Sequence, residues 1–434
     1  MADHTTIQDT PSTLEWHDVK RSEEGDLANP VDLKVDNSYP DGGARAWGVA
    51  AGTSGVLFCT FGMANAFGVL QEYYISHQLS DSSPSAISWI GSLQVFALFS
   101  GALVGGPLFD RYGGKTIWAP AVIYVFSIMM TSIAEEYYQF MLAQGVLGGL
   151  SMGMTMAPSM AATPQYFNKY RGAAMGIAIA GSSIGGVIFP IALGHLLNST
   201  TVGFGWSIRI IGFLILAVLA PSCLAIRARL PPRKGAFLLL SAFKQTQYII
   251  IITFAFLMVL SVFTPIFFLP SYAVEHGMSK NLSSYIIAVL NAASFFGRVI
   301  PGVLADKLGR LNMVIASGVS SAILILCWPQ ITTNAGILVF AGLFGFSSGA
   351  IVSGLVVCLS TCTDNPKNIG TYMGMGMGIA SIAALVGPPI SGALLAQYHG
   401  YLQVSIFSGV MVFAGSVAAV IAKSMTDEGV FGKA

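Results

Sequence analysis

From Trp47 onward the chain is a succession of twelve apolar segments, each about 20 residues long and set apart by short charged or glycine-containing stretches. Only 9% of the 434 residues are charged and 54% are hydrophobic, too little polar surface to cover twelve such segments in water. With a mean hydropathy of +0.69, the chain belongs in a bilayer. In hydrocarbon every backbone N–H and C=O must find a partner within the protein, and runs of about 20 residues meet that demand as helices. The approximate spans are 45–71, 86–106, 115–134, 138–162, 172–197, 206–226, 248–273, 283–304, 311–330, 334–360, 369–396 and 402–422. The expected fold is an all-α membrane protein of twelve transmembrane helices.

A repeat divides the twelve equally. Gly106-Pro-Leu-Phe-Asp110-Arg111-Tyr-Gly113 returns as Gly302-Val-Leu-Ala-Asp306-Lys307-Leu-Gly309, an offset of 196 residues. Gly172-Ala-Ala-Met-Gly176 returns as Gly370-Thr-Tyr-Met-Gly374, an offset of 198. Two matches at nearly one offset mark two copies of a six-helix unit. The division is a disordered acidic tail over 1–40, a half over 41–226, a basic linker over 227–247, a second half over 248–423 and a tail over 424–434. The first tail holds nine acids against three basic residues and has no apolar period, so it reads as solvated chain. It lacks the basic and apolar regions of a cleaved signal, and the first span is expected to direct insertion.

With the N-terminus inside, inner loops carry twelve Lys and Arg and outer loops only Lys280. That asymmetry puts both termini in the cytosol. The sequons at Asn198 and Asn281 then fall outside, beside the membrane. A net charge of +1 without a basic patch excludes a nucleic-acid partner. Cys59, Cys223, Cys327, Cys358 and Cys362 form no CxxC pair and have no His cluster near them, so no metal or cofactor is expected. No nucleophile–base pair or phosphate-binding glycine loop is present, and no enzyme activity is expected.

Small residues recur at helical spacing at Gly145/Gly149/Gly153, Gly181/Gly185 and Gly370/Gly374/Gly378, the pattern of close helix packing in lipid. Pro158, Pro190, Pro265, Pro301, Pro388 and Pro389 are expected to kink or break their helices. Once loops and tails are removed, the spans retain only Arg209, in the first turn of its helix, and Arg298. A cation as deep as Arg298 is costly unless it faces a wet cavity or a partner, which marks it as a binding residue. Asn65, Gln94, Gln144, Asn291 and Ser294, interleaved with Phe61, Phe67, Phe295, Phe296, Tyr272 and Tyr285, are the expected polar and aromatic lining of that cavity.

Two six-helix halves joined by a basic loop, with Gly-x-Leu-x-Asp-Arg-x-Gly after the second helix of each, resemble the major facilitator superfamily across nearly all of the chain beyond residue 40. Asp41-Gly42-Gly43 before Trp47, Tyr166–Gly176 leading into the fifth helix and Gly387-Pro388-Pro389-Ile-Ser-Gly392 in the eleventh are similar to the monocarboxylate porter family. The acidic tail and the run over 180–186 are similar to its fungal members. The resemblance implies a cavity between the halves that opens alternately to either side. It implies an inner latch at Asp110, Arg111, Asp306, Lys307 and Arg310, with the two carboxylates accepting from a neighbouring helix N-terminus or pairing with Arg. In the porters an Arg of the eighth helix, four residues after an Asp, is associated with the substrate carboxylate and the proton. Arg298 matches that Arg, Ser294 stands at the Asp position, and Asn65 stands where animal members carry a Lys in the first helix.

With no Asp or Glu in the core of any span, a proton has no evident carrier, although proton coupling remains open. The expected function is an alternating-access transporter of the plasma membrane, moving an organic anion or a medium-sized polar metabolite, with export of a secondary metabolite favoured. The alternatives are uptake of a monocarboxylate or vitamin-like acid and a transport-dead nutrient sensor. The expected binding residues are Arg298, Ser294, Asn291 and Asn65.

Overall fold

The computed structural model describes residues 39–434 apart from 200, 235, 280, 281, 284, 427, 428, 430, 431, 433 and 434. Most of the tail expected over 1–40, part of that over 424–434, Lys280 and the Asn281 sequon lie outside the described residues. Among the described residues, eleven apolar helical runs are long enough to cross a membrane, and one of them holds two spans. Ala86–Thr131 has 46 residues, which as one straight helix would reach about 70 Å through hydrocarbon about 30 Å thick. The run turns back at Gly113, where φ is 73°, a left-handed backbone that glycine adopts without steric cost.

The spans are α1 (Gly43–Ser76), α2 (Pro84–Tyr112), α3 (Trp118–Thr131), α4 (Tyr137–Gln165), α5 (Arg171–Leu197), α6 (Gly203–Ala225), α7 (Thr246–Glu275), α8 (Ile286–Leu308), α9 (Arg310–Cys327), α10 (Asn334–Thr361), α11 (Ile369–Tyr398) and α12 (Tyr401–Ser424). Three are irregular near mid-length. α1 is interrupted at Thr60 and again at Asn65–Ala66, and at the first interruption the Tyr124 hydroxyl of α3 donates to the Cys59 carbonyl at 2.8 Å. α4 opens into a wide π-type turn over Met141–Gly148. α7 breaks at Phe263, just before Pro265, whose ring supplies no N–H. Pro158, Pro190, Pro301, Pro388 and Pro389 instead lie inside continuous helices. Of the six expected disruptions, one coincides with a break.

The repeat is visible in the packing. α2 lies along α11 and α8 lies along α5, and exchanging α1–α6 for α7–α12 converts one pairing into the other. Each seam is too narrow for a side chain. A Cβ on Gly172 of α5 would stand 2.5 Å from the Gly302 carbonyl of α8, and one on Gly370 of α11 would stand 2.6 Å from the Gly106 carbonyl of α2. Glycine at these points lets the two backbones meet where lipid offers no hydrophobic drive toward association. The last turns of α2 and α8, which bear Asp110 and Asp306, and the loops bearing Lys169 and Arg227 are linked to one another or to helix ends by hydrogen bonds and share one end of the bundle, here called the charged end. The interruptions of α1 and α7 lie around the centre, between the halves, while the wide turn of α4 packs within the first half on α2 and α3.

Candidate functional site

The irregular middles of α1 and α7 face each other across the interface, with the Phe61 and Phe263 ring centroids 6.4 Å apart. Around them is a chamber walled by Phe99, Met156 and Met160 on one side and by Met258, Ile351 and Met377 on the other. It holds about 50 Å³ for a water-sized sphere. That is far below the roughly 300 Å³ at which drug-sized ligand pockets begin, so the walls must part to admit an organic molecule. Methionine walls can do so, because an unbranched thioether refits an altered space at low cost.

Beside it, sharing Phe61, Val262, Phe263 and Val352, lies a smaller polar chamber of about 20 Å³. It is lined by Asn65, Asn291, Ser294, Ser348 and Arg298. The four residues singled out in the sequence thus come together from α1 and α8 at one point. Asn65 arrives there through the interruption of α1. Arg298 is 4% exposed, and its guanidinium donates to the Ile179 carbonyl at 3.1 Å and to the Ser182 hydroxyl, both on α5. Its Nε has no partner, and no carboxylate pairs with it among the described residues. A buried cation left without an anion is destabilising. Unpaired buried charges cluster at functional sites, which makes Arg298 a candidate binding residue.

The other expected lining residues divide differently. Gln94 and Gln144 lie within the first half, where the Tyr74 hydroxyl donates to Gln144 Oε1 at 2.7 Å and Gln144 Nε2 donates to Gln94 Oε1 at 3.3 Å. Their chamber is separate, bordered by Ser127 and Thr131. Phe296 and Tyr285 are exposed on the bundle's outside, and the Tyr272 hydroxyl donates to the Trp328 and Ile331 carbonyls. Phe67 packs against Gly91, and of the six aromatics only Phe61 reaches the central chambers. Arg209 is held by Ser132 Oγ at 3.1 Å and lies over the Trp206 ring. The methionine wall and Ser182 were missed. The four-residue step from Met156 to Met160 was a legible sign that both share one face.

At the charged end, Asp110 closes the α2–α11 seam. Its carboxylate accepts from the backbone N–H of Gly370 at 3.1 Å and of Thr371 at 2.6 Å, and from the Thr371 hydroxyl at 2.7 Å. Asp306 does the same for the α8–α5 seam, accepting from the N–H of Gly172 at 2.7 Å and of Ala173 at 2.9 Å. Each carboxylate therefore meets unpaired N–H groups and the positive dipole end of a helix in the other half. Arg310 donates to the Asn168 carbonyl at 2.8 Å, again across the halves. Arg111 and Lys307 are exposed, Arg111 lying over its neighbour Tyr112, and neither joins this set.

Two further participants were singled out in the sequence for other reasons, Asp41 within a family motif and Arg233 within the basic linker. Arg233, between the halves, donates its backbone N–H to the Asp110 carbonyl at 2.7 Å and its guanidinium to Thr371 Oγ1 at 3.2 Å. Asp41 Oδ1 accepts from the N–H of Asn168 at 2.6 Å and of Lys169 at 2.7 Å, capping the loop that leads into α5. Asn198 caps the far end of α5 with its amide donating to the Gly194 carbonyl at 2.7 Å.

Two six-helix bundles meeting along glycine seams, shut at one end and enclosing chambers at mid-length, have the build of a membrane transporter. The chain belongs to the Major Facilitator Superfamily, whose family model matches residues 53–365. It is 54% identical to the Aspyridones efflux protein apdF of Emericella nidulans, over 94% of this chain and 84% of that protein. It is 41% identical to the Agnestins efflux protein AgnL12 of Paecilomyces divaricatus, over 90% of each. Among solved structures it shares the fold of the human organic anion transporter MFSD10 (TETRAN), with a TM-score of 0.67 at 14% identity, covering 88% of this chain and 99% of that one.

Proposed function

We infer that the chain exports an amphipathic organic anion, a secondary metabolite, from the cytosol across the plasma membrane. The observation that carries this is the junction of the two chambers: an unneutralised guanidinium opens beside a methionine- and phenylalanine-walled space that carries almost no polar surface. A small acid would leave the apolar chamber unfilled, and a neutral hydrocarbon would leave Arg298 unpaired. A molecule with an acidic head and an apolar body satisfies both. The relatives described as efflux proteins for aspyridones and agnestins support the direction.

The charged end is read as the cytosolic face, from the distribution of Lys and Arg. The bodies that rock are 41–226 and 248–423, and Asp110, Asp306 and Arg310 are the groups that bar the cytosolic entrance. The motifs at Asp41, Tyr166–Gly176 and Gly387–Gly392 support descent from the monocarboxylate porter family. Among the described residues no Asp or Glu lines either chamber, so any driving proton would bind elsewhere.

The test is an untargeted comparison of metabolites inside and outside cells of the native host with and without the gene. A compound that accumulates inside the deletion strain and disappears from the medium identifies the cargo. A compound that stays in the medium and is depleted inside overturns export in favour of uptake, and no difference under several growth conditions favours a sensor.

A further inference from the structure

Arg298 sits on α8, yet both of its hydrogen-bond partners are on α5, in the other half. The arrangement is a closed set. The Ser182 hydroxyl donates its proton to the Ile179 carbonyl at 2.7 Å, which leaves its lone pairs turned to the guanidinium, and Arg298 also donates to that carbonyl. Ser182 is 1% exposed and borders the apolar chamber, while Arg298 borders the polar one. The pair is therefore a bridge between halves located where the chambers join.

We propose that Ser182 is a positioning residue which holds Arg298 to α5 while the charged end is closed, and that an anionic head entering the polar chamber draws the guanidinium away and so unfastens α5 from α8. The idea rests on the reading of Arg298 as the anion-binding residue. Its chemistry is competition for donors. The free Nε and the terminal nitrogens can give a carboxylate or enolate two charge-assisted hydrogen bonds, stronger than those to a hydroxyl and a carbonyl. Cargo binding and separation of the helices then draw on the same group. A ligand shifts a two-state equilibrium only by its differential affinity for the two states, and the state with Arg298 released is the one that holds the anion better. Without a carboxylate in the chambers to be protonated, this exchange gives the carrier a way to sense that it is loaded.

Linkage gives a sign that a merely structural role does not. If Ser182 competes with the anion for Arg298, removing its hydroxyl must tighten anion binding. The probe is the fluorescent anion 4-(1-pyrenyl)butyrate, titrated into the full chain in lipid nanodiscs, with protein-free discs as blank and thermal unfolding as a folding check. Ser182→Ala is expected to lower the probe Kd by about tenfold or more, from the loss of one charge-assisted hydrogen bond. Ser182→Thr, which keeps the hydroxyl, returns it to the wild-type value. Unchanged or weaker binding in Ser182→Ala, with binding abolished in Arg298→Gln, overturns the exchange and leaves the anion site standing. Undiminished binding in Arg298→Gln, or no saturable binding to the wild type, overturns the anion site and the exchange together.

Discussion

At the scale of a residue, Arg298 separates stability from function. Its guanidinium is buried without an anion, so taking it away removes a burden from the fold while removing the group assigned to the cargo. Arg298→Ala is expected to reach the membrane and unfold no lower in temperature than the wild type. It should weaken pyrenylbutyrate binding by at least about 30-fold, the effect of losing roughly 2 kcal/mol from a buried charged contact. Loss of thermal stability together with normal binding would reverse that assignment. Arg298 was legible because a charge inside an apolar run stands out whichever way its helix faces. Gln94 and Gln144 were not, because a polar residue within a span announces burial but not which neighbour it faces. Rotation about the helix axis sent those two into the first half's own interior. The step from Met156 to Met160 put both on one face, but an apolar face of that kind does not say whether it lines a chamber or packs on a helix.

At the scale of an element, the helix N-termini of α5 and α11 are the parts that the repeated carboxylates grip. Asp110→Asn and Asp306→Asn keep the shape but exchange a charged acceptor for a weaker neutral one. Each substitution is expected to cost the closed charged end on the order of 1 kcal/mol, a several-fold change in its population. Measured on cargo flux in vesicles, kcat should fall more than KM rises in both variants. Equal turnover in both would dissociate the carboxylates from the cycle. The repeat disclosed Asp110 and Asp306 because both its acids and its glycines recur, whereas the basic residues beside them were indistinguishable by sequence: Arg310 crosses to Asn168 while Arg111 and Lys307 point away. The interruption of α1 at Thr60 had no proline to foretell it. The Tyr124 hydroxyl that donates there is 65 residues away from Cys59 in the chain.

At the scale of the whole molecule, the glycine seams make the motion testable. A Cβ on Gly378 of α11 would lie 3.2 Å from Leu103 Cβ of α2, close to the separation that a disulfide requires. With Cys327, which is exposed, replaced by serine, the pair Leu103→Cys and Gly378→Cys is expected to cross-link on mild oxidation. Cross-linked protein should lose transport, and reduction should restore it. Transport that continues in fully cross-linked protein would mean that this seam does not part during the cycle. The twelve spans and their division into halves were written in hydropathy and repetition, properties that survive without knowledge of any contact. How tightly the halves close was not, because it depends on backbones meeting across the interface.

Asp41 extends the account from the finished molecule to its birth. Its carboxylate has its nearest backbone donor 127 residues further along the chain, so the first helix enters the membrane long before its own entrance can be tied down. At a synthesis rate of about 5–20 residues per second, that wait is roughly 6–25 seconds on the ribosome. During this interval α1 must be sheltered by the insertion machinery or by lipid alone. The arrival of the loop before α5 is the moment at which the beginning of the first half is fastened, a timing imposed by where one aspartate finds its partners.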